Sequence, residues 1–283
     1  MRGARAPLTL TQDPLTTAGL TVGLSGRAPW RTCILATLAP KCGFTAVLWN
    51  LYSACYDLIA GLAPYGDMLD EAVTALELRP GMRVLDAGCG TGALEARLGA
   101  RHPDVEVVAV DASASMVARA QKRQPWSIRT RFVVADINDF LASQTQSFDR
   151  VVSVNLIWAL DNPSATIKGM ATCLAEGGRM VHTTPRWRFR FDVIVARHLR
   201  RTRGMRGWLH ALGLLPLLAA AGLLNLILVL RVLAHTWRDR SRWQADGLAR
   251  LFAQPGLSPA AIRPTYAGQG LFVQCDKKAS RLL

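Results

Sequence analysis

Residues 84–92 read Val-Leu-Asp-Ala-Gly-Cys-Gly-Thr-Gly, a β-rich run that ends in three glycines spaced two apart and then passes into a stretch with helical potential. That segment restricts the fold more than any other. Glycine turns sharply without a Cβ and lets the backbone touch a ligand, so Gly88, Gly90 and Gly92 mark a ligand loop between a strand and a helix. Around it, short β-rich runs recur at Arg83–Ala87 and at 105–110, 131–135, 150–154 and 179–183, each followed by a stretch that can be helical. Strands alternating with helices predict a parallel, doubly wound sheet. In such sheets a ligand sits beyond the carboxyl ends of the strands, near the point where strand order reverses.

The residues just after each run are therefore the ones to read for chemistry. Asp111 closes the second run, near the offset of about 20 residues at which a carboxylate meets ribose hydroxyls, so a nucleoside is the natural ligand. The third run ends in Ala135-Asp136-Ile137, a carboxylate for an exocyclic adenine amine and an apolar residue for the ring face. A dinucleotide site asks for G-x-G-x-x-G, whereas here Asp86 stands two places before the first of the evenly spaced glycines. A carboxylate at that place suits a cationic amine, met directly or through water, and repels a pyrophosphate.

These residues resemble the class I S-adenosylmethionine (SAM) methyltransferases. VLDAGCGTG is similar to the family's first motif and VVAVDASASMVARA to its second, which implies that Asp111 binds the ribose, that Met116 lies near the adenine and that Ala112 belongs to the cofactor-binding set. FVVADIND resembles the third, with Asp136 and Ile137 at the adenine, and SFDRVVSVNLIWAL the fourth, with Asn155 by the methionine moiety. Asp86, Gly88, Cys89, Gly90 and Gly92 complete the implied cofactor set, and no metal is implied. The match runs from about residue 52 to 184, with a tail from about 244 to 275. The family fold implied is an α/β, Rossmann-like seven-stranded sheet whose last strand is antiparallel beside the fifth. Residues 261–266 and 270–275 are the expected last pair, preceded by a helix at 244–253. The stretch LYSACYDLIAGLAPYGDML resembles the branch containing quinone-ring and phospholipid methyltransferases, in which a Tyr-Asp such as Tyr56-Asp57 helps close the pocket.

Composition explains what the motif leaves open. Half of the 283 residues are hydrophobic, 19% are charged, and the net charge is +14; mean hydropathy is +0.17. Such a chain favours polyanions and apolar surroundings. Six cysteines without a C-x-x-C pair or a histidine cluster disfavour disulfide and zinc frameworks. Residues 1–44, broken by Pro and Gly, read as an extension without an apolar signal core, consistent with a cytoplasmic body. A helix is expected at 45–63, ended by Pro64, as a lid or a packing helix, with a second at 67–78. The catalytic core is expected over 45–185 and its completion over 244–283.

Between them lies an insertion, residues 186–243, where twelve arginines face two aspartates. Residues 209–230 carry no charge; as one helix they would reach about 33 Å at ~1.5 Å per residue, the thickness of a hydrocarbon core. A single crossing would strand the last two β-strands across the bilayer from their sheet. Pro216 instead allows a bent pair, 206–215 and 217–234, bracketed by Trp208 and Trp237 and lying in one leaflet. The expectation is a monotopic anchor on the cytoplasmic face of a membrane. The alternatives are a cap buried in a homodimer or over the site, and a true single- or multi-pass span. The function that follows is methyl transfer to a lipid or other membrane-embedded acceptor, a phospholipid amine or a quinone or isoprenoid. The alternatives are a soluble small-molecule methyltransferase with a dimerising cap, an RNA methyltransferase, and a SAM-binding membrane protein without catalysis. Nucleic acid is disfavoured because it leaves the uncharged 22-mer unexplained. Tyr56, Tyr65, Trp158, Arg186 and Arg188 are the substrate-binding candidates, and Tyr56 and His182 the weak candidates for a base. His182 sits inside a predicted strand, where packing is the plainer role.

Overall fold

The computed structural model describes residues 49, 53, 56–123, 129–186, 189–202 and 243–279, all within the unit Cys33–Leu283. The expectations for residues 1–44 and for 203–242, the uncharged run included, lie outside the described residues, as does Arg188.

Trp49, Ser53 and residues 56–60 are helical, and after Gly61 and Leu62 comes α1, Ala63–Ala75. The helix thus begins four residues before the expected start. Pro64 occupies its first turn, where no backbone N–H is needed, so it opens α1 as well as closing the lid segment. Then follow β1 (Arg83–Ala87), α2 (Ala93–Arg101), β2 (Glu106–Asp111), α3 (Ala114–Lys122), β3 (Arg129–Val134), α4 (Ile137–Ala142), β4 (Phe148–Val154), α5 (Pro163–Cys173) and β5 (Leu174–Pro185). Last come α6 (Phe191–Arg201), α7 (Ala245–Leu251), β6 (Ala261–Thr265) and β7 (Gly270–Asp276). β5 starts five residues earlier than predicted, because Leu174 already pairs with Phe148 across a register shift at Phe148/Arg150.

The seven strands lie in the order β3-β2-β1-β4-β5-β7-β6. Pairings from β3 through β5 are parallel, and β7 runs antiparallel between β5 and β6, as the family resemblance implied. Strand order reverses between β1 and β4, so the expected ligand crevice opens at the ends of these two strands.

Alternation along each strand sorts the core into two layers. Val84, Val107, Ala109, Val152 and Val181 face α1, α2, α3 and α6. Leu85, Val108, Val110, Val151 and Met180 face α4, α5 and α7. Central strands buried on both sides explain the near-continuous valine runs. Asp86 alternates with Leu85 and Ala87, which places it on the α1–α2 face. His182 alternates with Val181, which places it on the opposite face, against Phe252 at 5.6 Å between ring centroids.

Candidate active site

The loop from β1 to α2 is built as its glycines require. Gly88, Gly90 and Gly92 have φ of +82°, +55° and +78°. A Cβ on Gly88 would come 3.0 Å from Leu156, and one on Gly90 would reach Tyr56 at 3.6 Å. The N–H groups of Gly88 and Cys89 donate to Val110 O at 2.8 and 3.0 Å, folding the loop onto β2. The Asp111 carboxylate accepts from Gly90 N at 2.9 Å and Ser113 N at 2.8 Å. Burial pushes its pKa up and these two donors pull it back; each oxygen keeps acceptor capacity for a hydroxyl.

Asp86 stands at the end of β1, 2% exposed, and its Oδ1 has no partner among the described residues. Glu95, in the first turn of α2, is 0% exposed, and neither of its carboxyl oxygens has a partner among the described residues. Burial, reinforced by Glu95, holds the Asp86 carboxyl well above the usual carboxylate range. Burial pushes Glu95 up to about 7. Cys89 is buried beside them, and its thiol is pushed far up, so it is an inert packing group. Glycines that admit a close ligand and buried carboxyls that want a cation fit the ribose and the ammonium of SAM.

The lid segment closes this cradle from above. Asp57 accepts from Thr91 Oγ1 at 2.6 Å and from Arg123 Nη2 at 2.5 Å, and Arg123 Nε donates to Thr91 O at 2.9 Å. Tyr56 and Tyr65 share a hydrogen bond of 2.7 Å between their hydroxyls. Burial raises the Tyr65 phenol above its ordinary value, so it stays neutral. Met116 is buried under Trp49, Tyr56 and Ile59, and its helix is capped by Ser113, which accepts from Met116 N.

Asn155 at the end of β4 takes φ +53°, a left-handed conformation that Asn tolerates better than most residues. Its N–H donates to Thr183 O at 2.9 Å, which ties the ends of β4 and β5 together. Trp158 follows in a single 3-10 turn, Ile157–Ala159, edge-on to Trp49 at 6.3 Å, and its indole Nε1 has no partner among the described residues.

Most of the predicted site is thus gathered at the carboxyl ends of β1, β2 and β4, under Tyr56 and Tyr65. The remaining candidates have their own settings, and the loop that carries Asp136 adjoins Asp111, whose backbone carbonyl accepts from Ala135 N at 3.1 Å. Asp136 is the N-cap of α4, its Oδ1 accepting from Asn138 N at 2.8 Å and Asp139 N at 3.4 Å; Ile137 behind it is buried. Ala112 is exposed beside Asp111. Arg186 is exposed just past β5, its N–H donating to Gln269 O at 2.9 Å. His182 is 0% exposed, neither ring nitrogen has a hydrogen-bond partner among the described residues, and burial pushes it down to about 3. It is a neutral packing residue on the face away from Tyr56. Sequence reasoning missed Glu95 and Arg123. Glu95 alone left a signal: a carboxyl one turn past the last glycine, on the inward side of α2.

A strand-order reversal, a glycine cradle and partnerless carboxyls define a nucleoside-type site for a cationic ligand, the site of a SAM-binding enzyme. The comparisons agree. The methyltransferase-domain family matches residues 84–178. The ubiquinone biosynthesis O-methyltransferase of Xanthomonas euvesicatoria pv. vesicatoria is 32% identical over 187 residues, covering 62% of this chain and 75% of that protein. Among solved structures, the CurJ carbon methyltransferase shares the fold at a TM-score of 0.52 with 15% identity, over 82% of this chain and 57% of that one. The plantazolicin methyltransferase BamL, solved with SAH, does so at 0.52 with 11% identity, over 82% and 96%. The chain belongs to the class I SAM-dependent methyltransferases, and its cofactor is SAM.

Proposed function

We propose that this enzyme transfers the methyl of SAM to a hydroxyl of a hydrophobic, quinol-type ring acceptor presented at a membrane surface. The observation that carries the acceptor class is the 32% identity to a ubiquinone biosynthesis O-methyltransferase across 75% of its length. The aromatic cluster beside the glycine loop supports it, with Trp49 edge-on to Trp158, Tyr56 edge-on to Tyr65, and Tyr56 within 3.6 Å of a Cβ placed on Gly90.

When bound, SAM supplies an activated methyl on a sulfonium, so alignment and exclusion of water do most of the work. In this reading Asp86 holds the amino-acid end and Asp111 the ribose, and Asn155 fixes the methionine side. Tyr56, acting as its phenolate, takes the proton of the acceptor hydroxyl. Its oxygen is aimed by the neutral phenol of Tyr65 and lies on the same face as Asp86. His182 is sealed on the other face and neutral, which leaves Tyr56 as the base candidate.

The membrane half of the proposal rests on where the insertion starts and ends. Pro185 closes β5 and pairs with Gly270 of β7, and Trp243 returns buried in the core, so the segment leaves one sheet and comes back to it. Twelve arginines over 186–242 suit anionic head groups at about 1 kcal/mol each. Among the described residues no helix is long and apolar enough to cross a membrane.

Methyl-labelled SAM incubated with the enzyme and a membrane lipid extract tests the acceptor, with Asp86→Ala as control. Label in the organic phase that migrates with quinols supports the proposal. Label that migrates with phospholipid moves the acceptor to an amine, and label only in RNA or protein overturns it. Deleting residues 205–234 should release the enzyme to the soluble fraction with SAM binding intact; continued membrane retention would sink the anchor.

A further inference from the structure

We infer that Asp86 and Glu95 hold one proton between them in the cofactor-free enzyme, and that docking of the donor's ammonium against Asp86 expels that proton to solvent. Glu95 is thereby a positioning residue that couples SAM binding to pH.

The geometry leaves this pair little choice. Asp86 Oδ1, Glu95 Oε1 and Glu95 Oε2 are all buried and all without a donor among the described residues. Two facing carboxylates with no donor and no cation repel strongly in such surroundings, and one proton removes the repulsion. Among the described residues, the charged or titratable groups that face the pair are engaged elsewhere or neutral. From β2, Asp111 is held by Gly90 N and Ser113 N and adds negative charge. From the end of α3, Arg123 favours the ionised Glu95, but its guanidinium is bound to Asp57 and its Nε to the Thr91 carbonyl. From α1, the Tyr65 phenol is neutral. From α2, Arg97 pairs with Asp70 at 3.0 Å. From the loop, Cys89 is a neutral thiol.

Burial raises both carboxyls, and the repulsion between them is relieved once one proton is shared, so the pair keeps that proton through the weakly acidic range. An ammonium supplies the missing cation. Asp86 and Glu95 then both ionise, the ammonium keeps its own protons, and one proton leaves per cofactor bound. Linkage follows: affinity for the cofactor tightens by up to tenfold per pH unit below about 7 and levels off above it.

Calorimetric titration of the full-length enzyme with SAM tests this, run at pH 6.0 in two buffers of different ionisation enthalpy. At that pH an α-amino group, with an ordinary value of about 7.7–8.0, stays protonated, so a released proton comes from the protein. The expected result is close to one proton released per SAM bound and Kd falling nearly tenfold between pH 5.5 and 6.5. Glu95→Gln should still bind SAM but release clearly less than the parent's proton and show a shallower dependence of Kd on pH over that range. A buffer-independent enthalpy in the parent enzyme, which needs no variant to fold, overturns the inference. So does a Glu95→Gln protein that releases as many protons as the parent.

Discussion

Asp57→Ala isolates the latch that joins the lid segment to the glycine loop. The substitution removes the acceptor of the Thr91 hydroxyl, at 2.6 Å, and the partner of Arg123, at 2.5 Å. Thr91 is 1% exposed, so its hydroxyl loses a partner that water does not easily replace, at about 1–2 kcal/mol. The ion pair is weaker. Side-chain exposures of 35% for Arg123 and 38% for Asp57 leave it screened, worth about 0.2–1 kcal/mol. Together the latch contributes about 2 kcal/mol, roughly a 30-fold change in an equilibrium constant. Because Thr91 lies between Gly90 and Gly92, that loss falls on the cradle and its cover and not on the sheet. Calorimetric titration with SAM should show Kd raised by up to about 30-fold, with the melting temperature lowered by only a few degrees. Asp57→Asn, which still accepts from Thr91, should lose about fivefold or less. Equal affinity in Asp57→Ala and parent would refute the latch, and equal losses in the two variants would refute the apportioning between hydroxyl and ion pair.

Gly88→Ala forces a side chain into φ +82° and against Leu156 at 3.0–3.2 Å. SAM affinity should fall by more than tenfold, whereas Gly81→Ala, with the same φ and nothing within 4 Å, should lower only the melting temperature, by the left-handed cost of about 1–2 kcal/mol. Asp86 and Glu95 have folded pKa values above the unfolded ones, so the stability they contribute is complete below about 4.5 and is lost as pH rises towards about 7. The cofactor-free enzyme should therefore melt lower at pH 8 than at pH 5 with Glu95→Gln flattening the trend, and a melting temperature that rises across that window counts against the protonated pair. His182 has the opposite sign: lowered to about 3, its contribution is present above about 6.5 and disappears on acidification. His182→Leu should keep kcat and resist acid better, and a tenfold loss of kcat would restore it as a base candidate.

The parallel strands and the cradle were legible because both rest on local signals. Valine-rich runs of five to seven residues need no partner to be recognised, and Gly88, Gly90 and Gly92 can do what they do only with positive φ. Legibility ends where a residue's role depends on distant chain. Asp136 reads as an adenine ligand from its place after β3, yet its Oδ1 is also the acceptor that starts α4. Pro64 reads as a stop, and only the packing of α1 on the core, together with His198 Nδ1 accepting from Ala63 N at 3.1 Å, makes it a start. Arg123 reaches Asp57 across 66 positions of sequence, which no periodicity announces. Glu95 looks like a favourable charge at a helix N-terminus until its burial is known.

The slot that β7 fills has a consequence for how the chain is made. β5 finds its outer neighbour only when Met180 meets Cys275 and Thr183 meets Phe272, after the whole arginine-rich insertion has been synthesised. Closing so long a loop is slow, and until then the outer edge of β5 is open to other strands. In the proposed anchored enzyme, the basic, apolar segment would then be made before its sheet is complete. Under that proposal, attachment and the pairing of β7 with β5 are competing events.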